Sequence, residues 1–427
     1  MDDVTSAAAG AAVLVKSGWY GRLGRMFQDQ TLPIPATHRP LTKENGGLLL
    51  WGSAVVGRGV FGGFWAIMAS LQDLRQEIDD LDEHIVELLN ARARAAQQIG
   101  RLKSSTGAGV FAPDRDRVVL DRVAELSTGP LSRMSLQAIY RELMSASFAL
   151  EQPPRVGFLG PAGSFSHEAA MGKFGASVEY EPLLSIRGIF DAMARGYIDY
   201  GVVPVENNSA GGIILDCLDA FVDHEVLVCN EVHRVIHQNL MARCALEEVE
   251  TVYSNPEASK QCQRWLTEAG FVAKVVATPS TSKAAQQASE QPKTAAIGSA
   301  MAANLYGLRI LAANIEDNPQ NMTRFFVLGK EAAKPTGDDR SSLMLTTAHK
   351  AGALVDVLLV FQKQGINMTM ITSRPSLRTP LEYHFFVDLE GHAVDPKVAA
   401  ALEEAKAHCR TLRVLGSYPK ADDVVAA

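Results

Sequence analysis

An apolar stripe constrains this chain more than any other feature. Leu71, Leu74, Ile78, Leu81, Ile85 and Leu88 follow one another at intervals of 3, 4, 3, 4 and 3, and Ala95, Ile99 and Leu102 prolong the series. An α-helix of about 3.6 residues per turn puts those positions on one face. The spacing predicts one helix from about 70 to 104, roughly 50 Å long at 1.5 Å per residue. Gly100 alone disfavours it, and no proline falls inside. Such a helix cannot bury its stripe within a unit of about 80 residues unless helices pair lengthwise, so a helical dimer or larger homo-oligomer is expected. Two shorter helices, near 113–127 and 132–151, follow, parted by Thr128-Gly129-Pro130.

Cations interrupt the stripe. Arg92 stands four residues after Leu88 and seven before Ile99, where a leucine would fit, and Lys103 shares its face three turns later. Arg75 lies one turn from both Leu71 and Ile78. A single inward arginine is explained by snorkelling to water or by pairing with an acid such as Glu83. Three cations on one stripe, with Arg115 and Asp116 opening the next helix, describe instead a pocket for an anion. Ser147 and Glu151, at i and i+4 on the last helix, add two hydrogen-bonding groups to one wall.

The segment LQDLRQEIDDLDEHIVELLNARARAAQQIGRLK, then PDRDR and SASFALE, resembles the all-helical chorismate mutases over residues 71–151. The resemblance implies a chorismate site lined by Arg75, Arg92, Lys103, Arg115, Asp116, Ser147 and Glu151, with Arg75 reaching into the partner's pocket. Chorismate is a dianion that rearranges by breaking an ether C–O bond while forming a C–C bond. A catalyst need only hold the folded conformer and stabilise charge growing on the ether oxygen. Arg92 would clamp carboxylate, Lys103 would donate to the ether oxygen, and Glu151 would face it. Three positions depart from the enteric pattern: Ala112 replaces an aspartate, Asp116 a glutamate and Glu151 a glutamine. A carboxylate cannot donate a hydrogen bond, so Glu151 implies a mutase whose rate falls as pH rises through its titration.

Pro153-Pro154 closes the helical unit and the pattern changes to α/β. Short apolar strands (Val156–Leu159, Tyr200–Val205, Glu250–Tyr253, Ala295–Ile297, Arg324–Leu328) alternate with helical stretches such as 166–173 and 186–195. That alternation predicts a parallel sheet, arranged as two small α/β lobes. Polar clusters end several strands: GPAGSFS at 160–166, VPVENNSAGG at 203–212, STS at 280–282 and NMTRF at 321–325. Ser164, Ser209 and Ser280 are each equally well read as helix caps.

In this order the four clusters resemble the prephenate dehydratases over roughly 155–330. The resemblance implies a two-lobed fold like a periplasmic binding protein, with prephenate in the cleft. Thr323 would be the catalytic hydroxyl, with Ser164, Glu206, Asn207, Ser209, Ser280, Thr281, Arg324 and Phe325 binding substrate. Because a threonine hydroxyl is a weak acid, Thr323 is read as a relay or hydrogen-bond donor. Ser254-Asn255-Pro256 stands where the family has Ser-His-Pro, which removes a histidine acid from that position.

Residues 341–420 read βαββαβ, a ferredoxin-like order. GALVDVL at 352–358, TSRP at 372–375 and the closing LGSYP resemble the ACT regulatory domains of prephenate dehydratases. The resemblance implies phenylalanine binding at a domain interface, with Gly352, Ala353 and Leu354 on one side and Thr372, Ser373, Arg374 and Pro375 opposite. Thr372 replaces a glutamate of that motif.

The organisation expected is therefore an unstructured or upstream segment over 1–67, a helical unit over 68–152, a two-lobed unit over 155–332 and a ferredoxin-like unit over 341–420. Residues 47–67 are apolar enough to raise a membrane span or signal, but Arg58 and six glycines fall within them, and translation starting at Met68 is the simpler reading. The charge sum, 41 − 48 = −7, lacks the basic excess of a nucleic-acid binder. Five scattered cysteines without a CxxC pair fit a reducing cytosol and no zinc knuckle. Neither reaction needs a metal or organic cofactor. Two other classes share these folds: a dehydratase whose helical part only dimerises, and a ligand sensor without catalysis.

Overall fold

The computed structural model describes residues 70–106, 113–151, 153–209, 212–376 and 382–421, without the side chains of 103–106 and 113. The leading segment and its apolar run, Ala112 and the Lys103 side chain lie outside the described residues.

The stripe forms α1, Leu71–Thr106. Helix α2 spans Pro113–Leu126 and α3 spans Arg133–Glu151. The face that meets α3 continues the leucine stripe past Leu88, along the edge that begins where Arg92 stands. It is Arg92, bonded to Ser147, buried Ala96, and Gly100, which lies against Glu151. Helix α3 has 19 residues against 36 in α1, so it cannot cover the first half. The stripe therefore stays exposed within one chain, with Leu71 at 67% and Leu88 at 70%. Helix α3 turns its other face outward from α1: Met144 and Phe148 are buried with Val156, Phe158 and Phe174, and Val119 and Leu120 of α2 pack on the same cluster.

The next unit begins with β1 (Arg155–Leu159), α4 (Phe165–Phe174), β2 (Glu179–Leu183), α5 (Ile186–Ala194), β3 (Tyr200–Asn207), β4 (Gly212–Ile213), α6 (Leu215–Asp223) and β5 (Leu227–Val235). The chain crosses into a second lobe of β6 (Asn239–Ala242), β7 (Thr251–Ser254), α7 (Pro256–Gln261), α8 (Gln263–Glu268), β8 (Val275–Ala277), α9 (Thr281–Glu290), β9 (Thr294–Gly298), α10 (Ala300–Tyr306) and β10 (Arg309–Ala312). It then returns to the first lobe as β11, Met322–Gly329. Sheet order is β2-β1-β3-β11-β5 in the first lobe, with β4 on β3, and β10-β6-β9-β7-β8 in the second.

These sheets are mixed, where the alternating pattern predicts parallel ones. Strand β11 runs antiparallel to both β3 and β5, and β6 runs antiparallel to both β9 and β10. The outgoing and returning strands between the lobes lie side by side, as the Ile236 N–H to Asn321 carbonyl bond of 2.7 Å marks, and an out-and-back pair is necessarily antiparallel.

The last unit is β12 (Asp339–Thr347), α11 (Ala353–Lys363), β13 (Met368–Pro375), β14 (Tyr383–Glu390), α12 (Pro396–Lys406) and β15 (Cys409–Pro419), with sheet order β13-β14-β12-β15. This is the expected ferredoxin-like arrangement, its helices covering one face around Val357, Phe361, Ala401 and Ala405. The opposite face carries Met344, Phe386, Leu415 and Tyr418 into the core of the first lobe.

Candidate active sites

In the helical unit, Arg92 is half-buried between α1 and α3. Its Nη1 donates to Ser147 Oγ at 2.7 Å and to the Leu143 carbonyl at 3.4 Å. Ser147 in turn donates to Leu143 O at 2.8 Å, so the guanidinium is held by a hydroxyl fixed to its own helix. Glu151 lies one turn further along α3, and a Cβ at Gly100 would stand 2.6 Å from its Cγ. Gly100 therefore serves close helix approach rather than flexibility. Asp116 is 7% exposed, while Arg115 beside it faces solvent. A charge from outside the helical unit approaches Asp116: Lys173 Nζ of α4, at 3.8 Å. Arg75 lies 17 residues before Arg92, about 25 Å along α1. One chain does not bring these two arginines together.

Between the two lobes lies a cleft of about 360 Å³, lined among others by Asn208, Ser209, Lys260, Gln261, Glu316 and Asn321. An amide network underlies it. Asn207 Nδ2 donates to Thr323 Oγ1 at 2.7 Å and to Asn321 Oδ1 at 3.0 Å, and its Oδ1 accepts the Ser209 N–H at 2.9 Å. Asn321 continues to Gln261 at 3.1 Å, and Gln261 to Gln238 at 3.2 Å. Asn207 and Thr323 sit opposite each other on β3 and β11, which is why two distant motifs meet.

Several expected ligands lie elsewhere. Ser164 caps α4, accepting the His167 N–H and donating to Leu159 O at 2.7 Å. Ser280 caps α9, which Thr281 opens, and neither lines this cleft. Asn255 caps α7 and also donates to Pro279 O at 3.0 Å, tying the Ser-Asn-Pro turn to the STS loop. The expectation that Arg324 and Phe325 bind substrate needs correction. Neighbouring strand residues point to opposite faces, and Phe325 is 2% exposed inside the first-lobe core.

Arg324, on the other face of β11, points toward the ferredoxin-like unit. Its Nε donates to Glu231 at 2.7 Å, Nη1 to Asp388 at 2.6 Å and Nη2 to the Tyr418 hydroxyl at 3.0 Å. Glu206 shares that face, 3.8 Å from Nη1. Arg340 Nη1 donates to both Glu231 oxygens, at 2.6 and 2.9 Å, and Ser342 donates to Asp388 at 2.6 Å. Burial alone would push the Glu231 carboxyl up, but Arg324 and Arg340 outweigh it and hold it below the usual range. Burial opposes the charge of Arg324, yet Tyr418, Asp388 and Glu231 together raise its pKa. Nothing in the local sequence around Glu231 or Asp388 announces this network, because a buried acid is legible only once its partner strand is known.

Gly352 caps α11 with φ +81°, a left-handed conformation that favours glycine, and a Cβ there would meet nothing within 4 Å. The requirement is thus backbone conformation. A cavity of about 240 Å³ opens beside it, lined by Gly352, Ala353 and Leu354 together with His349, Glu382 and Tyr383. Residues Thr372–Pro375 do not line it. They run along edge strand β13, and Arg374 forks onto Asp219 of α6 at 2.8 and 2.5 Å. Within one chain the two expected halves of the effector site therefore stay apart, although Pro375 pairs in register with the cavity residue Tyr383. Among the described residues there is no cluster of metal-binding side chains, and no helix is long and apolar enough to cross a membrane.

Comparison with known proteins follows the same three segments. The chorismate mutase type II family model matches residues 74–152, the prephenate dehydratase model 156–333 and the ACT domain model 341–407. The bifunctional chorismate mutase/prephenate dehydratase of Stutzerimonas stutzeri is 40% identical over 358 residues, covering 82% of this chain and 98% of that protein. Its counterpart from Aquifex aeolicus is 42% identical, covering 83% and 99%. Among solved structures, the prephenate dehydratase of Arthrobacter aurescens in complex with L-Phe is 32% identical, with a TM-score of 0.59, and is covered over 93% of its length. The chain belongs to the bifunctional chorismate mutase/prephenate dehydratase family, enzymes of phenylalanine biosynthesis that rearrange chorismate to prephenate and convert prephenate to phenylpyruvate.

Proposed function

We propose that the two reactions run in two separate sites, at the α1–α3 seam and in the interlobe cleft. The helical site extends over 68–152, the dehydratase over 155–332 and the regulatory unit over 341–420. In the first site, Arg92 holds a chorismate carboxylate, its fork pre-set by Ser147. Lys103 donates to the ether oxygen, and Glu151 adds a second donor when protonated. Arg75 acts on the partner's pocket. The exposed leucine stripe of α1 supports this, since a homodimer that pairs the long helices covers it and brings Arg75 within reach.

In the cleft, the observation that carries the reading is the Asn207–Thr323 bond of 2.7 Å. With Oγ1 accepting from the amide, the Thr323 O–H is left to donate, and it does so to the ring hydroxyl of prephenate. That C–O bond breaks and the hydroxyl leaves as water with a proton from solvent relayed through Thr323, the carboxylate departs as carbon dioxide, and the electron pair it leaves completes the aromatic ring. Ser209 and Asn321 orient the substrate from the same network. Phenylalanine is the effector, bound at the Gly352 cavity and completed by Thr372–Pro375 of a neighbouring regulatory unit; the Arthrobacter aurescens relative was solved with L-Phe. The enzyme works in the cytoplasm without metal, cofactor, nucleic acid or membrane.

The test supplies chorismate to the pure chain and follows prephenate and phenylpyruvate. Thr323→Ala should abolish phenylpyruvate and leave prephenate formation intact, and Arg92→Ala should do the reverse with prephenate as the rescue substrate. Joint loss of both activities in a folded variant defeats the two-site reading.

A further inference from the structure

The helical unit does not end at its own surface. Its α3 shares a core with the dehydratase lobe through Met144, Phe148, Phe158 and Phe174. Polar bonds flank that core: the Ala176 N–H donates to Glu142 at 2.9 Å, the Ser177 N–H to Ser145 Oγ at 2.9 Å, and Arg141 to the Gly172 carbonyl at 3.4 Å. Lys173 sits between these anchors, on the last turn of α4. It is next to Phe174, which is fully buried.

We propose that Lys173 of the dehydratase lobe is a positioning residue of the mutase, holding the Asp116 carboxylate for the chorismate hydroxyl. This rests on the reading of Asp116 as a mutase-site residue. Asp116 is 7% exposed, and a buried carboxylate needs a compensating charge or donors. Lys173 Nζ stands 3.8 Å from Asp116 Oδ2, and its side chain is 19% exposed. At that separation the interaction is one of charge rather than a hydrogen bond. Its chemical use follows from the substrate. An ionised Asp116 accepts a hydrogen bond from a neutral hydroxyl, but it also repels a dianion. The lysine offsets that repulsion without touching substrate, so the dehydratase lobe contributes charge to the mutase pocket. A purely structural reading also exists, since a cation on the last turn of a helix favours the helix dipole. Kinetics separate the two.

The experiment uses the full chain and three variants, Lys173→Met, Lys173→Arg and Asp116→Asn, with chorismate consumption and prephenate consumption assayed in the same samples. Loss of charge compensation removes binding of ground and transition states alike, so Lys173→Met should raise the KM for chorismate about tenfold with kcat within about threefold. Dehydratase kinetics should not move, and Lys173→Arg should restore the chorismate KM. A chorismate KM within twofold of wild type in Lys173→Met overturns the proposal. So does a parallel fall of both activities, which marks Lys173 as structural. If Asp116→Asn leaves mutase kinetics unchanged, the placement of Asp116 in the site fails, and the proposal falls with its premise.

Discussion

Replacing Arg324 by methionine tests the buried ion network and its place between the dehydratase and regulatory units. Arg324 is 5% exposed, and its three donating nitrogens each have a partner within 3.0 Å. Methionine fills much of the stem volume but removes the charge. Glu231 keeps its bonds from Arg340, whereas Asp388, fully buried, keeps the bond from the Ser342 hydroxyl. Breaking a buried pair by removing one member costs about 3–5 kcal/mol, because the charge left behind stays desolvated. At roughly 2–4 °C per kcal/mol for a unit of 150–250 residues, the melting temperature should drop by about 6–20 °C. Differential scanning calorimetry checks this. Adding Asp388→Leu to Arg324→Met should recover part of the loss, since the stranded carboxylate is gone. Destabilisation below about 1 kcal/mol, or further loss in the double variant, refutes the argument that the charges are mutually compensating.

Three further outcomes are expected. Gly100→Ala puts a methyl 2.6 Å from Glu151 Cγ and 3.3 Å from its Cα, so α1 and α3 must part at a cost of about 1–3 kcal/mol; mutase activity should fall while dehydratase activity persists in paired assays. The depressed Glu231 titration contributes stability that is fully present above its unfolded value near about 4.3 and is lost as pH falls through the lower folded value. Melting temperature should therefore decline more steeply below about pH 4 in the wild type than in Glu231→Gln, and equal slopes would exclude this assignment. Gly352→Trp, at φ +81° and beside the cavity, should abolish phenylalanine inhibition; full inhibition in that variant places the effector elsewhere.

The sequence by itself determined what depends on local periodicity and on motif order. The 3,4 spacing from Leu71 to Leu88 needs no partner to specify a helix, and the predicted span of 70–104 differs from the observed Leu71–Thr106 only at its ends. The βαββαβ order of the last unit is equally local, as is the capping chemistry of Ser164 and Ser280. Tertiary structure decided which face of each element meets what. A leucine stripe states that it must be buried but not by whom, and in one chain α3 meets only its continuation at Arg92, Ala96 and Gly100, leaving the leucines exposed. TRF reads as one motif along the chain, yet strand alternation sends Thr323 toward Asn207 and Arg324 toward Asp388 on opposite sides of the sheet. Lys173 carries no signal in its own neighbourhood, because its meaning is the carboxylate 57 positions earlier. Burial and charge pairing depend on through-space distance, and only the folded chain sets that distance.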